Sequence, residues 1–364
     1  MTRPASRSIY CTVTPRQLGL RVAPPDPHGS RLDIALPSCE FYPVAIDTSR
    51  RTVGFARIDR DTYRDAGFLV PRAAELGARL YSYNLDDLLL YDRIDPIKGV
   101  ATHYVLITAF CCSTLLARYF DLLAGCLVLR EPGLLGQLAI LRNRPAGRTG
   151  AADWGREWGS WAGLGLALLS RSFEGCQTAV IKAADVCNNM ADVLLARDAR
   201  SKLILLSVPL RTFIISALKS PSRRDWMRAR ARFWLRESQT QPAIPAVDLD
   251  RLDDARKSAY LWTATQRLWD GPRSGAGPER LMELDGESVS NAPRSTMGSL
   301  LSFLGIAATT EELDHIASDS MGKRHAKEPN RSYGAGDRAR DLEEWERRFG
   351  READAAVQWA GELR

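Results

Sequence analysis

The sequence has 364 residues, of which 45% are hydrophobic and 26% are charged, and its formal net charge is +6. This composition excludes a disordered chain, a fibrous protein and a coiled coil, and it supplies enough apolar residues for a sizeable core. No apolar stretch reaches the roughly 18 residues of a membrane span, so we expect no association with a membrane. The first residues lack a continuous apolar stretch, so we also expect no signal peptide.

The charge balance and the cysteines limit the partners and the compartment. A small excess of basic residues suits an anionic small molecule but does not by itself indicate nucleic acid. The sequence has seven cysteines, an odd number, and no pair has Cys-x-x-Cys spacing. This pattern argues against a disulfide framework and against a four-ligand zinc site. We therefore expect reduced thiols, most of them buried, in a cytoplasmic protein.

Two regions precede the main domain. Residues 1–30 contain five prolines without clear periodicity and are predicted to form a flexible arm. Residues 31–96 are predicted to form a small accessory α+β region. Two alternating runs around a polar tetrapeptide, Tyr42–Asp47 and Thr52–Ile58, indicate a β-hairpin there. Short helices are expected near Arg60–Ala66 and Leu85–Leu90.

From residue 97 to residue 364, apolar runs alternate with helical patterns. The predicted strands are His103–Thr108, Cys126–Arg130, Thr178–Lys182 and Lys202–Val208, and the predicted helices are Ser113–Leu123, Gly133–Leu141, Asn189–Arg197 and Arg211–Lys219. This repetition predicts an α/β fold with a central parallel sheet covered on both faces. Residues 221–270 and 291–364 are expected to add helices, and Leu281–Leu284 a further strand.

In such a sheet, ligands usually bind at the carboxyl ends of the strands. Four segments follow predicted strands, namely Phe110–Thr114, Glu131, Lys182–Asp185 and Ser207–Arg211. They are expected to meet in one crevice, whereas His103 begins a strand and is expected at the opposite edge. The first segment places Ser113 and Thr114 at a helix N-terminus, where free N–H groups attract anions. It lacks the Gly-Lys pair of a nucleoside-triphosphate-binding loop.

The segment Phe110-Cys-Cys-Ser-Thr-Leu-Leu-Ala-Arg118 resembles the phosphosulfate-binding loop of sulfotransferases, whose bacterial members commonly carry Arg-Ser-Gly-Ser-Thr-Leu-Leu. Phe110 stands where that family has a basic residue, and Cys112 replaces its glycine. Ile204–Ser216 is similar to the family's 3′-phosphate segment, and Leu281–Gly305 to its late strand, loop and helix. With its Glu-Pro after the second strand and a late His-Ala-Lys, the chain resembles an uncharacterised bacterial branch of sulfotransferase-like proteins with a P-loop three-layer fold.

This resemblance implies sulfuryl transfer from 3′-phosphoadenosine 5′-phosphosulfate to a hydroxyl or amine of a small-molecule or peptide acceptor, without a metal. The phosphosulfate would be held by Phe110, Cys111, Cys112, Ser113, Thr114 and Leu115, and the 3′-phosphate by Arg211, Ser216, Arg324 and Lys327. Lys182, at a strand end, is the predicted replacement for the loop cation. Glu131 is the predicted base for the acceptor proton, with His325 as a second candidate.

Several alternatives stay open at this point. An ATP-dependent kinase on the same fold is one, although the loop lacks Gly-Lys and the strongest strand lacks a Walker-B acid. A non-catalytic nucleotide- or partner-binding protein is another, favoured by the missing loop cation. Lys182 can be a surface lysine, and Asp185 competes with Glu131 as the base. The arginine stripe Arg228, Arg232 and Arg236 can be a solvated helix face.

Overall fold

The computed structural model describes residues 39–65, 80–143, 154–318, 324–325, 328–332 and 335–363, and these residues form an α/β fold. Their strands belong to three separate sheets. The predicted N-terminal arm, residues 1–30, lies outside the described residues.

The first sheet confirms the predicted hairpin and adds a strand to it. β1 (Phe41–Asp47) pairs antiparallel with β2 (Thr52–Arg57), whose other edge pairs antiparallel with β3 (Leu80–Asn84). The carboxylate of Asp47 forms the turn between β1 and β2, because it accepts hydrogen bonds from the N–H groups of Ser49 and Arg50, each at 3.0 Å. Sequence reasoning missed β3, since this strand has only five residues and its partner is distant along the chain.

The second sheet is the predicted central parallel sheet. Its strands are β4 (Ala101–Ile107), β5 (Cys126–Arg130), β6 (Thr178–Lys182), β7 (Leu203–Ser207) and β8 (Leu281–Asp285), in the order β5-β6-β4-β7-β8. β6 pairs in parallel with both β4 and β5, in a register that places Lys182 beside Val105 and beside Arg130. All five residues of β5 are buried. A strand covered on both faces needs such a continuous buried run, which explains why the sequence shows no alternation there.

The described helices include the individually predicted ones, close to their predicted positions, and others that the sequence did not predict individually. They are α1 (Arg60–Asp65), α2 (Leu85–Ile94), α3 (Ser113–Asp121), α4 (Gly133–Arg142), α5 (Trp154–Leu169), α6 (Ala191–Arg197), α7 (Leu210–Leu218), α8 (Pro221–Glu237), α9 (Asp254–Gly275), α10 (Gly286–Asn291), α11 (Pro293–Leu304), α12 (Thr310–Ser318) and α13 (Ala335–Gly361). A 3₁₀ helix, Asp185–Met190, precedes α6, where the sequence predicted a single helix. β9 (Arg324–His325) and β10 (Glu328–Ser332) form the third, antiparallel sheet.

Internal contacts divide the chain into two compact units. Among the described residues, the first unit comprises those up to Val105 and those within Leu123–Leu203, and the second comprises Leu106–Leu122 and those from Ile204 onward. In the first unit, the Gln137 side chain of α4 accepts a hydrogen bond from the N–H of Ile46 at 2.8 Å and donates one to its carbonyl at 2.6 Å. This pair of hydrogen bonds continues the hydrogen bonding of β1 and fixes α4 against that strand.

In the second unit, α7, α9 and α13 share an apolar core. Its members include Ile214, Ile215, Leu218, Ala255, Ala259, Ala353 and Ala356. The small alanine side chains of α9 and α13 let the helices approach closely, and the larger side chains of α7 fill the space between them. Among the described helices, none combines the length and the apolar character that a membrane span requires.

Candidate functional site

A loop with an unusual backbone conformation joins β4 to α3. Ala109, Phe110 and Cys112 have φ angles of 63°, 54° and 59°, in the left-handed region that normally favours glycine. Such a conformation costs a non-glycine residue about 1–2 kcal/mol, so surrounding contacts must hold the loop in place. Cys112, which replaces a glycine in the loop resemblance described above, adopts a conformation that glycine would take without strain.

Gly286, the first residue of α10, supports this loop. A Cβ atom at Gly286 would lie 2.3 Å from the carbonyl oxygen of Cys111 and 2.8 Å from its carbonyl carbon. The backbone of α10 can approach the loop this closely only because glycine has no side chain. Cys111 itself is fully buried, so the loop has little room to move away from α10.

Polar groups at both ends of the loop suit an anionic ligand. Ser113 is buried and Thr114 is half-buried in the first turn of α3, whose backbone N–H groups point out of the helix end. At the other end, the Thr108 hydroxyl is buried and has no hydrogen-bond partner among the residues that the structure describes. A buried hydroxyl without a partner costs about 1–3 kcal/mol, and a ligand with acceptor oxygens would remove that cost.

The Phe110 side chain makes aromatic contacts at the position where the loop that it resembles carries a basic residue. Its ring centroid lies 5.7 Å from that of Phe213 in α7 and 5.2 Å from that of Trp226 in α8. The guanidinium carbon of Arg223 lies 4.9 Å from the centroid of the same ring. Sequence reasoning did not include Arg223 among the site residues, because no local pattern connects it to the loop.

The two residues that we predicted for the 3′-phosphate on α7 have different surroundings. Arg211 donates a hydrogen bond of 2.7 Å to Asp354 and also pairs with Glu346, both on α13. These hydrogen bonds, first that to Asp354 and then that to Glu346, raise the pKa of Arg211. Ser216 is buried, and its carbonyl oxygen accepts a hydrogen bond of 2.8 Å from Arg223. The structure thus joins Arg211 to the C-terminal helix and Ser216 to Arg223.

In the first unit, Lys182 at the end of β6 forms an ion pair with Glu131, which follows β5. The two side chains are 5% and 17% exposed, which contradicts the alternative that Lys182 is a surface lysine. Glu131 has a φ angle of 49°, and its N–H donates to the carbonyl of Lys182 at 2.7 Å. If Glu131 took up a proton, the buried ammonium would lose this carboxylate. A role for Glu131 as a base therefore requires another anion near Lys182.

The remaining predicted residues divide into described and undescribed ones. Arg324 and His325 form β9, but their side chains and the whole of Lys327 lie outside the described residues. Asp185 begins the 3₁₀ helix and is buried.

His103 is buried at the start of β4, and its Nδ1 accepts a hydrogen bond of 3.2 Å from the N–H of Lys202. Desolvation by burial lowers the pKa of His103 to about 4, so this side chain is neutral at physiological pH.

Acidic residues face the arginine stripe on α8. Arg228 lies 2.5 Å from Asp254 and 3.2 Å from Asp225, and Arg232 lies 3.8 Å from Asp250. These carboxylates neutralise part of the charge of the stripe, which agrees with its interpretation as a solvated helix face.

Most of the described cysteines are buried, as the sequence predicted. Cys39, Cys111, Cys126, Cys176 and Cys187 are buried, Cys112 is half-buried, and none of these six described cysteines forms a disulfide. Within the described ranges, no group of three or more His, Cys, Asp or Glu side chains is placed to hold a metal ion.

An open, shallow depression of about 300 Å³ lies at the carboxyl ends of β7 and β8. Its lining residues are Ser207, Val208, Pro209, Trp262, Glu283, Leu284 and Asp285. Trp262 is fixed there because its indole N–H donates a hydrogen bond of 2.9 Å to the carbonyl of Val208. A fixed aromatic wall beside strand ends suits a planar ligand group, at the edge where α/β sheets usually bind their ligands.

Comparisons with known proteins give likenesses of structure alone. No protein-family model and no curated protein matches this chain. Among solved structures, the chain is similar to the sulfotransferase domain from the curacin biosynthetic pathway, with 14% identity, coverage of 69% of this chain and 98% of that one, and a TM-score of 0.40. It is also similar to a sulfotransferase from Mycobacterium avium, with 12% identity, coverage of 74% of this chain and 84% of that one, and a TM-score of 0.39. A mouse sulfotransferase complexed with PAP is similar as well, with 14% identity, coverage of 76% of this chain and 88% of that one, and a TM-score of 0.38. At these identities and TM-scores no activity carries over to this chain, and its fold class rests on its own sheet.

Proposed function

We propose that the chain binds 3′-phosphoadenosine 5′-phosphosulfate at the loop of residues 108–114 and transfers its sulfuryl group to a hydroxyl or amine. The observation that carries this proposal is the left-handed conformation of Ala109, Phe110 and Cys112 directly before the N-terminus of α3. Strained non-glycine residues cluster at functional sites, and a helix N-terminus favours an anion. The sequence resemblance of the same segment supplies the chemical identity of that anion.

The proposed transfer exchanges one bond to sulfur for another. The bond between sulfur and the bridging phosphate oxygen breaks, and a bond forms between sulfur and the acceptor oxygen or nitrogen. The electron pair of the broken bond leaves with adenosine 3′,5′-bisphosphate, and the acceptor proton passes to a base. Backbone N–H groups of the first turn of α3, with the hydroxyls of Ser113 and Thr114, stabilise the charge on the leaving phosphate. Lys182 and Glu131 stay the predicted cation and base.

Calorimetric titration of the full chain with adenosine 3′,5′-bisphosphate tests the binding step. We expect saturable binding without added metal, and weaker binding by Ser113→Ala. Ser295→Ala is the matched control, because Ser295 lies in the first turn of α11 and is exposed. Absence of binding by the wild-type chain would overturn the proposal. Magnesium-dependent binding of ATP in its place would favour a kinase.

The aromatic packing of Phe110 favours a second candidate, a non-catalytic nucleotide-binding protein. A phenylalanine ring held between Phe213 and Trp226 cannot neutralise the charge that develops during transfer. This candidate predicts that the bisphosphate binds but that incubation with the phosphosulfate and a panel of phenols, alcohols and amines releases no bisphosphate. Release above the rate without protein, measured by chromatography, would decide for the transferase.

A further inference from the structure

The loop before α3 carries thiols on two neighbouring residues, Cys111 and Cys112. No other two of the seven cysteines are adjacent along the chain. Cys111 is fully buried and Cys112 is half-buried, so of this pair only the second thiol is open to a small reagent from solvent. Redox-sensitive cysteines commonly have this arrangement, in which an accessible thiol reacts first and a neighbouring thiol resolves the product.

The backbone turns the two side chains towards the same side. Cys112 has a φ angle of 59° and a ψ angle of 15°, whereas the φ angle of Cys111 is negative. Among the standard β-turns, this combination at the two central residues belongs to type II. In a strand, ψ of one residue and φ of the next nearly cancel, and neighbouring side chains point to opposite faces. In a type II turn these two angles add up to about half a rotation, which brings the side chains to one face.

Two thiols on one face of such a turn are close enough to form a bond, and that bond is strained. The peptide bond between Cys111 and Cys112 is trans, so their Cα atoms lie about 3.8 Å apart. Disulfides normally join Cα atoms roughly 4.4–6.8 Å apart. A strained disulfide is easily reduced, and disulfides of this kind are the reversible ones in proteins.

The position of Cys112 favours the reactive form of its thiol. Cys112 is the N-cap residue of α3, whose first turn contains no acidic residue. The positive end of the helix dipole stabilises a thiolate there, and the thiolate is the form that reacts with a peroxide. Two other described thiols differ in this respect, because burial raises the pKa of Cys39 and of Cys126 to about 12. Both are therefore protonated at neutral pH.

We propose that Cys111 and Cys112 form a redox-active pair, which a small hydroperoxide such as hydrogen peroxide converts to a disulfide between neighbouring residues. The thiolate of Cys112 attacks one oxygen of the peroxide, the O–O bond breaks, and hydroxide leaves and takes up a proton, which gives a sulfenic acid at Cys112. The thiol of Cys111 then attacks that sulfur, and the S–O bond breaks as the oxygen leaves as water. The two thiols are oxidised, and the peroxide is reduced to two molecules of water.

The close approach of α10 keeps the resolving thiol in place. A Cβ atom at Gly286 would lie 2.3 Å from the carbonyl oxygen of Cys111, so the backbone of Cys111 has little room to withdraw from Cys112. The reaction needs two thiols and a peroxide but no nucleotide. It therefore goes beyond the proposed function, and it can be tested whether or not the chain binds adenosine 3′,5′-bisphosphate.

The test uses the full chain with the substitution Cys11→Ser, called the parent chain below, because Cys11 lies outside the described residues. The folded parent chain is treated with hydrogen peroxide, its remaining thiols are alkylated in denaturant, and a tryptic digest is measured by mass spectrometry. Cleavage after Lys98 and Arg118 gives one peptide that contains Cys111, Cys112 and no other cysteine. We expect this peptide to be lighter by two hydrogen atoms and unalkylated, and dithiothreitol to restore both thiols.

Single substitutions in the parent chain separate the roles of the two thiols. Cys112→Ser should prevent oxidation of the peptide, because the remaining thiol of Cys111 is buried. Cys111→Ser should leave a sulfenic acid at Cys112 that dimedone labels, because the resolving thiol is gone. Cys187→Ser is the matched control, since Cys187 is fully buried outside this loop, and its peptide should oxidise like that of the parent chain.

We expect the pair to be oxidised at least about tenfold faster than Cys39 and Cys126, because each unit of pKa changes the thiolate fraction about tenfold. Equal rates for all thiols of the folded parent chain would overturn the proposal. A peptide that keeps both thiols under peroxide, or that bonds to another cysteine, would overturn it too. Dimedone labelling of Cys112 in the parent chain without loss of two hydrogen atoms would show that Cys111 does not resolve the sulfenic acid. The parent chain decides these points even where a variant fails to fold.

Discussion

Replacing Gly286 by alanine should move the loop that joins β4 to α3. The added Cβ atom would lie 2.3 Å from the carbonyl oxygen of Cys111, whereas such a carbon–oxygen pair normally stays about 3.3 Å or more apart. One of the two backbones must therefore shift by about 1 Å. The neighbour is backbone and not a flexible side chain, so we expect the unfolding free energy to fall by about 1–3 kcal/mol.

Gly298→Ala is the control, because it makes the same substitution in α11, where no atom of another described segment lies within 4 Å of the new Cβ. There we expect a gain of up to about 1 kcal/mol from helix propensity. Urea unfolding of both variants and the wild type measures the stabilities, and titration with adenosine 3′,5′-bisphosphate measures the effect on the loop. If Gly286→Ala is as stable as Gly298→Ala and binds the nucleotide like the wild type, the close approach of α10 to the loop does not exist.

Three further predictions concern single residues and use urea unfolding as the measurement. Cys112→Gly should keep or raise the unfolding free energy, by up to about 1 kcal/mol, because glycine adopts the left-handed conformation without strain; a clear loss of stability would contradict the φ angle of 59°. Lys182→Met should lower it by about 3 kcal/mol because the half-buried carboxylate of Glu131 loses this ammonium, and adding Glu131→Gln should restore part of the loss. Additive losses would argue against the ion pair. His103 has a pKa of about 4 when folded, against an ordinary 6.5, so its contribution to stability is full above about pH 6.5 and falls as the pH drops towards 4. From about pH 7 to about pH 5 we expect the unfolding free energy to fall by roughly 2 kcal/mol. His103→Asn should abolish this loss, and it keeps an acceptor for the N–H of Lys202. An unchanged pH dependence in that variant would refute the assignment of the loss to His103.

Sequence reasoning located the central sheet well because its strands are continuous apolar runs between helical patterns. β5 and β6 have the predicted bounds, Cys126–Arg130 and Thr178–Lys182, since each run ends at a charged residue. It missed β3, whose five residues gain their strand structure only by pairing with β2. A pairing partner that is distant along the chain leaves no local pattern.

The candidate site shows the same division between local and distant signals. The loop and the helix start at Ser113 were predicted from a strand, a turn and two hydroxyl residues in succession. The role of Gly286 was not predicted, because its contact with Cys111 joins residues far apart in sequence. Arg211 was predicted for the 3′-phosphate because Ile204–Ser216 resembles the family's 3′-phosphate segment and Arg211 lies on the first turn of its helix, but the direction of its side chain depends on two carboxylates of α13. Sequence position places a residue at a strand end and does not say which neighbour its side chain meets.

The sequence by itself determined the α/β class and the central sheet, and it predicted the segment before α3 where we propose an anion site, because these follow from periodicity, turn residues and helix polarity within short stretches. Only the tertiary structure decided which charges belong to that segment. Arg223 reaches Phe110 and Ser216, while Arg211 turns to Glu346 and Asp354. The physical reason is that an arginine side chain is long and flexible, so its partner is chosen by packing and charge in three dimensions and not by its neighbours along the chain.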